Sequence, residues 1–175
     1  MKKVIMVSGT MGVGKTTTCQ ALLEMLCPSV FLDGDWCWNM NPFSVTEETK
    51  AMVMDNITHL LGNYLRCSAY EYVIFCWVMH RESMMREILE RLPQGDYRAY
   101  GVTLCCTEEA LRLRLARDVE RRVRREDAVE RSVRRMPLYA AMHTHKIDVT
   151  GIGPDEAAAR IRDLVTADRE AKADD

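Results

Sequence analysis

Short apolar runs alternate with longer amphipathic stretches along most of the chain, a pattern that predicts strands separated by helices. The first run, Val4-Ile5-Met6-Val7, lies in a strand read from Lys3 to Ser8; a glycine-rich turn and a helix-forming stretch from Gln20 to Leu26 follow, stopping near Cys27 and Pro28. Val30-Phe31-Leu32 reads as a second short strand ending at Asp33. Met52, Val53, Ile57, Leu60, Leu61, Tyr64 and Leu65 recur at helical spacing, and Ser44 with Glu47 three residues on reads as the capping box of that helix. Tyr72 to Val78 is apolar without a break, as expected of a strand covered on both faces. A helix from about Glu82 to Leu92 stops at Pro93, and a turn at Gly95-Asp96 leads into a strand from Ala99 to Cys105. Thr107 ahead of Glu108 and Glu109 predicts a further helix start; two arginine-rich helical stretches follow, then a fifth strand at Lys146 to Val149. Gly153-Pro154-Asp155-Glu156 puts proline and acids in the first turn of a last helix that ends near Thr166.

Five strands separated by helices imply an α/β domain of three layers, because parallel neighbours need crossover connections that lay helices on both faces of the sheet. With 175 residues and 47% hydrophobic content, the chain suits one core. Residues 1–168 read as a single domain and 169–175 as a frayed polar tail. Ligands of such sheets gather beyond the carboxyl ends of the strands. Residues 9–17, Asp33 to Phe43, His80-Arg81 and the arginine-rich stretch all fall there.

Residues 9–17 read Gly9-Thr10-Met11-Gly12-Val13-Gly14-Lys15-Thr16-Thr17, a G-x-x-x-x-G-K-T phosphate loop with a strand before it and a helix after it. Gly9, Gly12 and Gly14 let the backbone turn tightly and bring successive N–H groups against phosphate oxygens. The following helix adds its positive end, Lys15 can reach the β- and γ-phosphates, and the Thr16 hydroxyl suits Mg²⁺. Nucleoside triphosphate binding follows from this segment, with Met11 beside the nucleotide; what is done with the triphosphate does not. ATP is not distinguished from GTP here.

Asp33-Gly34-Asp35 stands at the exit of an inner strand, two carboxylates with a glycine between them to allow a sharp turn. Near a triphosphate, one carboxylate can take the proton of an attacking hydroxyl and the other can hold a Mg²⁺-bound water. The plainer reading of the same residues is an Asp-Gly turn.

The phosphate loop, one helix and then Leu32-Asp33-Gly34-Asp35 on the second strand resemble small-molecule kinases of the P-loop class, within the AAA-like P-loop nucleoside triphosphate hydrolase superfamily. Gluconate kinase and adenylylsulfate kinase carry Asp-Gly-Asp in the corresponding segment; shikimate kinase and chloramphenicol phosphotransferase are similar in plan. The resemblance implies a three-layer P-loop NTPase fold of the kinase type, with a five-stranded parallel sheet and an arginine-rich lid at about 114–135. It implies transfer of the γ-phosphate of Mg·ATP to a hydroxyl of a small molecule. Lys15 and Thr16 would act on phosphate and Mg²⁺, Asp35 as the hydroxyl-facing carboxylate and Asp33 in the metal shell, with these last two roles exchangeable. Alternatives are a nucleoside or nucleotide kinase, a non-catalytic nucleotide-binding regulatory protein, and phosphorylation of a nucleic-acid end.

Departures from those families are informative. Trp36-Cys37-Trp38-Asn39-Met40-Asn41-Pro42-Phe43 replaces the basic residues that follow in the two nearest families, whose substrates are anionic. Trp36, Trp38, Asn39 and Phe43 can form an amphipathic acceptor pocket with Asp35, or a loop packed on its own aromatics. No acid ends the Val73 to Val78 strand, where many P-loop ATPases keep a Mg²⁺-associated aspartate, which speaks against a motor or AAA-type protein and leaves that duty to Thr16, Asp33 and Asp35. Arg117 to Arg135 holds eight arginines against five acids. As a lid these would meet the phosphates, Arg114 and Arg124 first with Arg131 behind them; as a surface they would pair with their interleaved acids. Arg81 is a candidate substrate contact, and His80 a hydrogen-bonded turn residue.

A net charge of −2 argues against nucleic acid or an acidic membrane as an obligate partner. Seven cysteines without C-x-x-C pairs read as thiols in a reducing compartment, and the apolar run after Met-Lys-Lys is too short for a signal peptide. The expectation is a cytoplasmic monomer or homodimer acting on a small-molecule acceptor.

Overall fold

The computed structural model describes residues 1–121 and 127–170, with side chains to residue 167. In chain order the elements are β1 (Lys2–Ser8), α1 (Lys15–Met25), β2 (Ser29–Asp33), a 3₁₀ turn (Gly34–Trp38), α2 (Glu47–Arg66), β3 (Tyr72–Cys76), α3 (Glu82–Arg91), β4 (Tyr97–Cys105), α4 (Glu108–Glu120), α5 (Asp127–Ala140), β5 (His145–Asp148) and α6 (Pro154–Glu170). The strands form one parallel sheet in the order β2-β3-β1-β4-β5.

Alternation along the strands divides the core into two layers. Ile5, Val7, Ile74, Cys76, Val102 and Leu104 face Cys19 and Leu22 of α1 and Ala158, Ile161 and Val165 of α6. Val4, Met6, Val73 and Phe75 face the other way, onto Val53, Ile57 and Leu61 of α2 and Met85 and Ile88 of α3. Both β1 and β3 are therefore buried on both faces, which is why their sequences are continuously apolar rather than alternating.

Register carries the design of the site. Val7 stands beside Cys76, and Cys76 beside Asp33, so the carboxyl ends of β1, β3 and β2 finish level. The phosphate loop leaving β1 and the Asp33 segment leaving β2 thus emerge on the same edge of the sheet.

Several boundaries move from their sequence-based positions. The box that opens α2 is Thr46 with Thr49, not Ser44 with Glu47: Thr46 Oγ1 accepts from Thr49 N at 3.1 Å, and Thr46 N donates to Thr49 Oγ1 at 2.8 Å. Placing the cap there puts Glu47 and Glu48 in the first turn, where the helix dipole favours them. Strand β3 ends at Cys76, leaving Trp77 and Val78 past the sheet. Strand β4 begins two residues early, because Tyr97 and Arg98 pair with Lys2 and Lys3. Helix α6 runs past Thr166, whose hydroxyl is satisfied within the helix by the Arg162 carbonyl at 2.9 Å, and no Gly or Pro intervenes before Glu170. Residues 171–175 of the expected tail lie outside the described residues.

Candidate active site

At the phosphate loop, Gly9, Gly12 and Gly14 all take positive φ, +148°, +84° and +105°. Two of them are also pressed by their surroundings. A Cβ on Gly12 would stand 2.5 Å from Leu115 Cδ2 of α4, and one on Gly9 would stand 2.8 Å from the Leu104 carbonyl oxygen. Gly14 is the N-cap of α1 and supplies no side-chain cap, and no acid stands in the first turn. The positive end of α1 is therefore left for an external anion.

Lys15 is 9% exposed, and its Nζ donates to the Thr10 carbonyl at 3.1 Å. Thr10, expected to bind nucleotide, is 4% exposed and donates its hydroxyl to the Ser132 carbonyl of α5 at 2.8 Å, so its side chain ties the loop to that helix. Val13 packs into the core, and Thr17 Oγ1 donates to the Gly14 carbonyl at 3.0 Å.

The Thr16 hydroxyl donates to Asp33 Oδ2 at 2.6 Å, while Asp33 Oδ1 accepts the Asp35 N–H at 2.9 Å and caps the 3₁₀ turn. Asp33 is buried, and both of its oxygens are engaged; Asp35, one turn on, is exposed. The two exchangeable carboxylates are thereby distinguished by environment. Gly34 corrects the sequence reading: its φ is not positive, and the glycine is needed because a Cβ there would stand 2.6 Å from Cγ of Trp77. Close approach of an indole, rather than a sharp turn, explains the residue.

A cleft of about 960 Å³ opens over this edge. Its lining joins Met11 and Thr16 of the loop and the 3₁₀ segment's Asp33, Asp35, Trp36, Trp38, Asn39, Phe43 and Val45 to Trp77, Val78, Arg131 and Arg135. The aromatic segment packs partly on its own rings, Trp36 edge-on to Phe31 at 5.3 Å and Trp38 tilted against Phe43 at 6.0 Å, while all of these but Phe31 also line the cleft. Arg81 is not among the described residues of that lining; it is exposed at the N-cap of α3. His80 donates from Nδ1 to the Val78 carbonyl, 3.2 Å away, as a turn residue.

A second cavity of about 300 Å³ lies on the far side of the loop, lined by Val13, Gly14, Thr17, Thr18, Arg114, Val149, Ile152, Gly153, Pro154 and Ala157. Arg114 belongs to the middle of α4, and its guanidinium donates to the carbonyls of Val13 at 3.2 Å, Val149, and Thr150 at 3.4 Å. It therefore braces this second cavity. Arg131 pairs with Asp127 at 3.4 Å and still borders the main cleft. Arg124 lies outside the described residues, as do the rest of 122–126, so the expected lid is described only through its flanks in α4 and α5.

Trp77, Arg135, Val45 and Tyr139 were not singled out by sequence. Trp77 was hidden in a run read as strand, and Arg135 among arginines equally suited to a solvated surface. Tyr139 of α5 is 2% exposed, and its hydroxyl has no hydrogen-bond partner among the described residues. Burial pushes that phenol up to about 12, with Arg135 pulling down and Asp35 pushing up, which places it in the field of the cleft. Because the folded value lies above the ordinary 10.0, keeping Tyr139 neutral contributes stability that is fully present below pH ~10 and is lost as pH rises towards about 12. Tyr139→Phe is expected to remove that loss and to raise the alkaline unfolding midpoint followed by circular dichroism. Coincident midpoints would show that Tyr139 does not carry it.

Where an acid was sought at the end of β3, Cys76 stands. Its hydrogen bond with Cys19 and its burial push the thiol far up, so it stays protonated and offers no metal ligand. Thr16, Asp33 and Asp35 supply the hard oxygen donors that Mg²⁺ prefers.

A family model described as an AAA domain matches residues 5–135. No curated protein matches the chain. Among solved structures, the Deinococcus radiodurans tunicamycin resistance protein is 21% identical with a TM-score of 0.73, over 94% of this chain and 96% of that one. A gluconokinase from Sinorhizobium meliloti 1021 is 18% identical, TM-score 0.64, over 95% and 97%. Shikimate kinase from Acinetobacter baumannii, in complex with shikimate, is 23% identical, TM-score 0.62, over 96% and 94%. These similarities show a P-loop kinase-type fold.

Proposed function

The chain belongs to the AAA domain family, and from that membership and the arrangement around its phosphate loop we propose that it is a phosphotransferase moving the γ-phosphate of ATP to a hydroxyl of a small molecule. The observation that carries this reading is the single cleft in which the Thr16–Asp33 pair, the exposed Asp35 and an aromatic wall open together. A protein that only binds or hydrolyses nucleotide has no need of a cleft of about 960 Å³ beside its γ-phosphate position.

The base and ribose of ATP fit the second cavity, against Val149 to Pro154, and the phosphates lie along the loop amides and the start of α1. Lys15 offsets charge on the β- and γ-phosphates. Asp35 orients the acceptor hydroxyl and receives its proton as the new O–P bond forms and the bond to the β-phosphate oxygen breaks, releasing ADP. Mg²⁺, held by Thr16 and through water by Asp33, would offset charge on the phosphate oxygens. Arg131 and Arg135 border the same volume and can take up charge that moves to the transferring group.

Phosphorus NMR of Mg·ATP with a pool of hydroxylated metabolites, nucleosides and antibiotics tests this. The Deinococcus radiodurans neighbour is a tunicamycin resistance protein, so tunicamycin belongs in the pool. A new phosphoester resonance is expected. ATP binding accompanied only by slow release of inorganic phosphate, whatever the pool, would overturn the reading in favour of a nucleotide-dependent binding protein.

A further inference from the structure

Resting on the phosphotransferase reading, we infer that the acceptor is uncharged and apolar over the part that lies between Trp36, Trp38 and Phe43, an amphipathic alcohol rather than a small anionic polyol. Three of the seven most exposed large hydrophobic residues among those described, Trp36 at 54%, Phe43 at 68% and Val45 at 54%, border this one cleft. Apolar surface gathered in that way is unfavourable in water and gains when a ligand covers it. The rings are not loose, since Trp36 is held against Phe31 and Trp38 against Phe43. Their remaining faces form a prearranged surface.

Charge points the same way. From residue 36 to residue 45 the chain carries no ionisable acid or base other than the thiol of Cys37, which burial and Asp33 push up and so keep neutral. Among the described residues, the cations of the cleft, Arg131 and Arg135, belong to α5 and share a smaller cavity with Met11 of the phosphate loop, so they serve the phosphate side. An acceptor carboxylate set against the aromatic side would lose hydration without a cation to replace it.

Methyl, butyl, hexyl and octyl β-D-glucosides, used below their micelle concentrations, vary the apolar part at a constant hydroxyl-bearing head. Calorimetric binding to the full chain in the presence of Mg²⁺ and a non-hydrolysable ATP analogue should tighten by about 2- to 4-fold per methylene. That amounts to at least ~30-fold from methyl to hexyl. D-gluconate should bind more weakly than hexyl glucoside. Trp36→Ala with Phe43→Ala should flatten the chain-length dependence, with analogue affinity as the control for an intact loop. A flat series, no binding by any member, tighter gluconate binding or an unchanged slope in the double variant would each overturn the inference. Phosphorus NMR on the same samples separates the two proposals: chain-length-dependent binding without a phosphoester keeps this acceptor chemistry and removes the phosphotransferase, whereas phosphoester formed on gluconate alone does the reverse.

Discussion

Asp35→Asn is expected to lower the rate of phosphoryl transfer by about 10²- to 10⁴-fold, the range for loss of a positioned general base, while ATP affinity changes little. The asymmetry follows from placement. Asp35 is exposed in the cleft with the aromatic wall, and the bond that fixes its segment is made by its backbone N–H to Asp33, which asparagine keeps. The variant therefore retains the backbone bond of the 3₁₀ turn and loses the carboxylate's charge and its capacity to take a proton. Asp33→Asn serves as the contrast. Asp33 is buried and holds both Thr16 and the turn, so its variant should raise the Mg²⁺ concentration needed for half-maximal activity more than it lowers the rate at saturating Mg²⁺. Steady-state rates over a Mg²⁺ series, with calorimetric ATP binding, separate the two. Equal transfer by Asp35→Asn and wild type would remove Asp35 from the chemistry.

Elements of the fold were legible where one signal dominated. Continuous apolar runs mark β1 and β3 because each is covered on both faces, and the three glycines of the phosphate loop mark their own positive φ. Boundaries were less legible where two signals compete, as at α2, where Ser44 with Glu47 and Thr46 with Thr49 offer overlapping boxes and hydrogen bonding selects the second. The site was legible as far as its residues are consecutive in sequence. Residues 9–17 and 33–43 each stand out as candidates, and the register of β1, β3 and β2 brings the two segments to the same edge of the sheet.

What escaped depends on contacts between distant residues. Gly34 looked like a turn glycine because nothing local reveals that Trp77, more than forty positions on, comes down on it. Arg135 and Tyr139 sit on α5 four residues apart, one bordering the cleft and one buried within its field, and only the packing of that helix against the loop through Thr10 and Ser132 separates them from its solvated residues. The missing acid at the end of β3 reads differently after comparison: the chain is a member of the AAA domain family, and what its Cys76 speaks against is a metal-site acid at that strand end.

Lys15→Met is expected to weaken ATP binding by about 10- to 100-fold, the loss of a hydrogen bond to a charged group at about 1.5–3 kcal/mol, and to lower transfer by a further ~10²- to 10³-fold. Lys15 is the first residue of α1, 9% exposed, with its ammonium held by the Thr10 carbonyl. That carbonyl also accepts from the Val13 N–H at 3.3 Å, so the contact is shared, and a triphosphate offers the ammonium a stronger partner. Methionine keeps the length and apolar body of the side chain, so the loop should remain packed. Arginine is not expected to rescue activity, since its planar fork exceeds the space of a side chain that is only 9% exposed. Calorimetric ATP titration, thermal melts with and without Mg·ATP, and transfer rates read these effects independently. Unchanged ATP affinity in a well-folded Lys15→Met would mean that the anion site rests on the loop amides and α1 alone, and the charge-offsetting role assigned to Lys15 would be withdrawn.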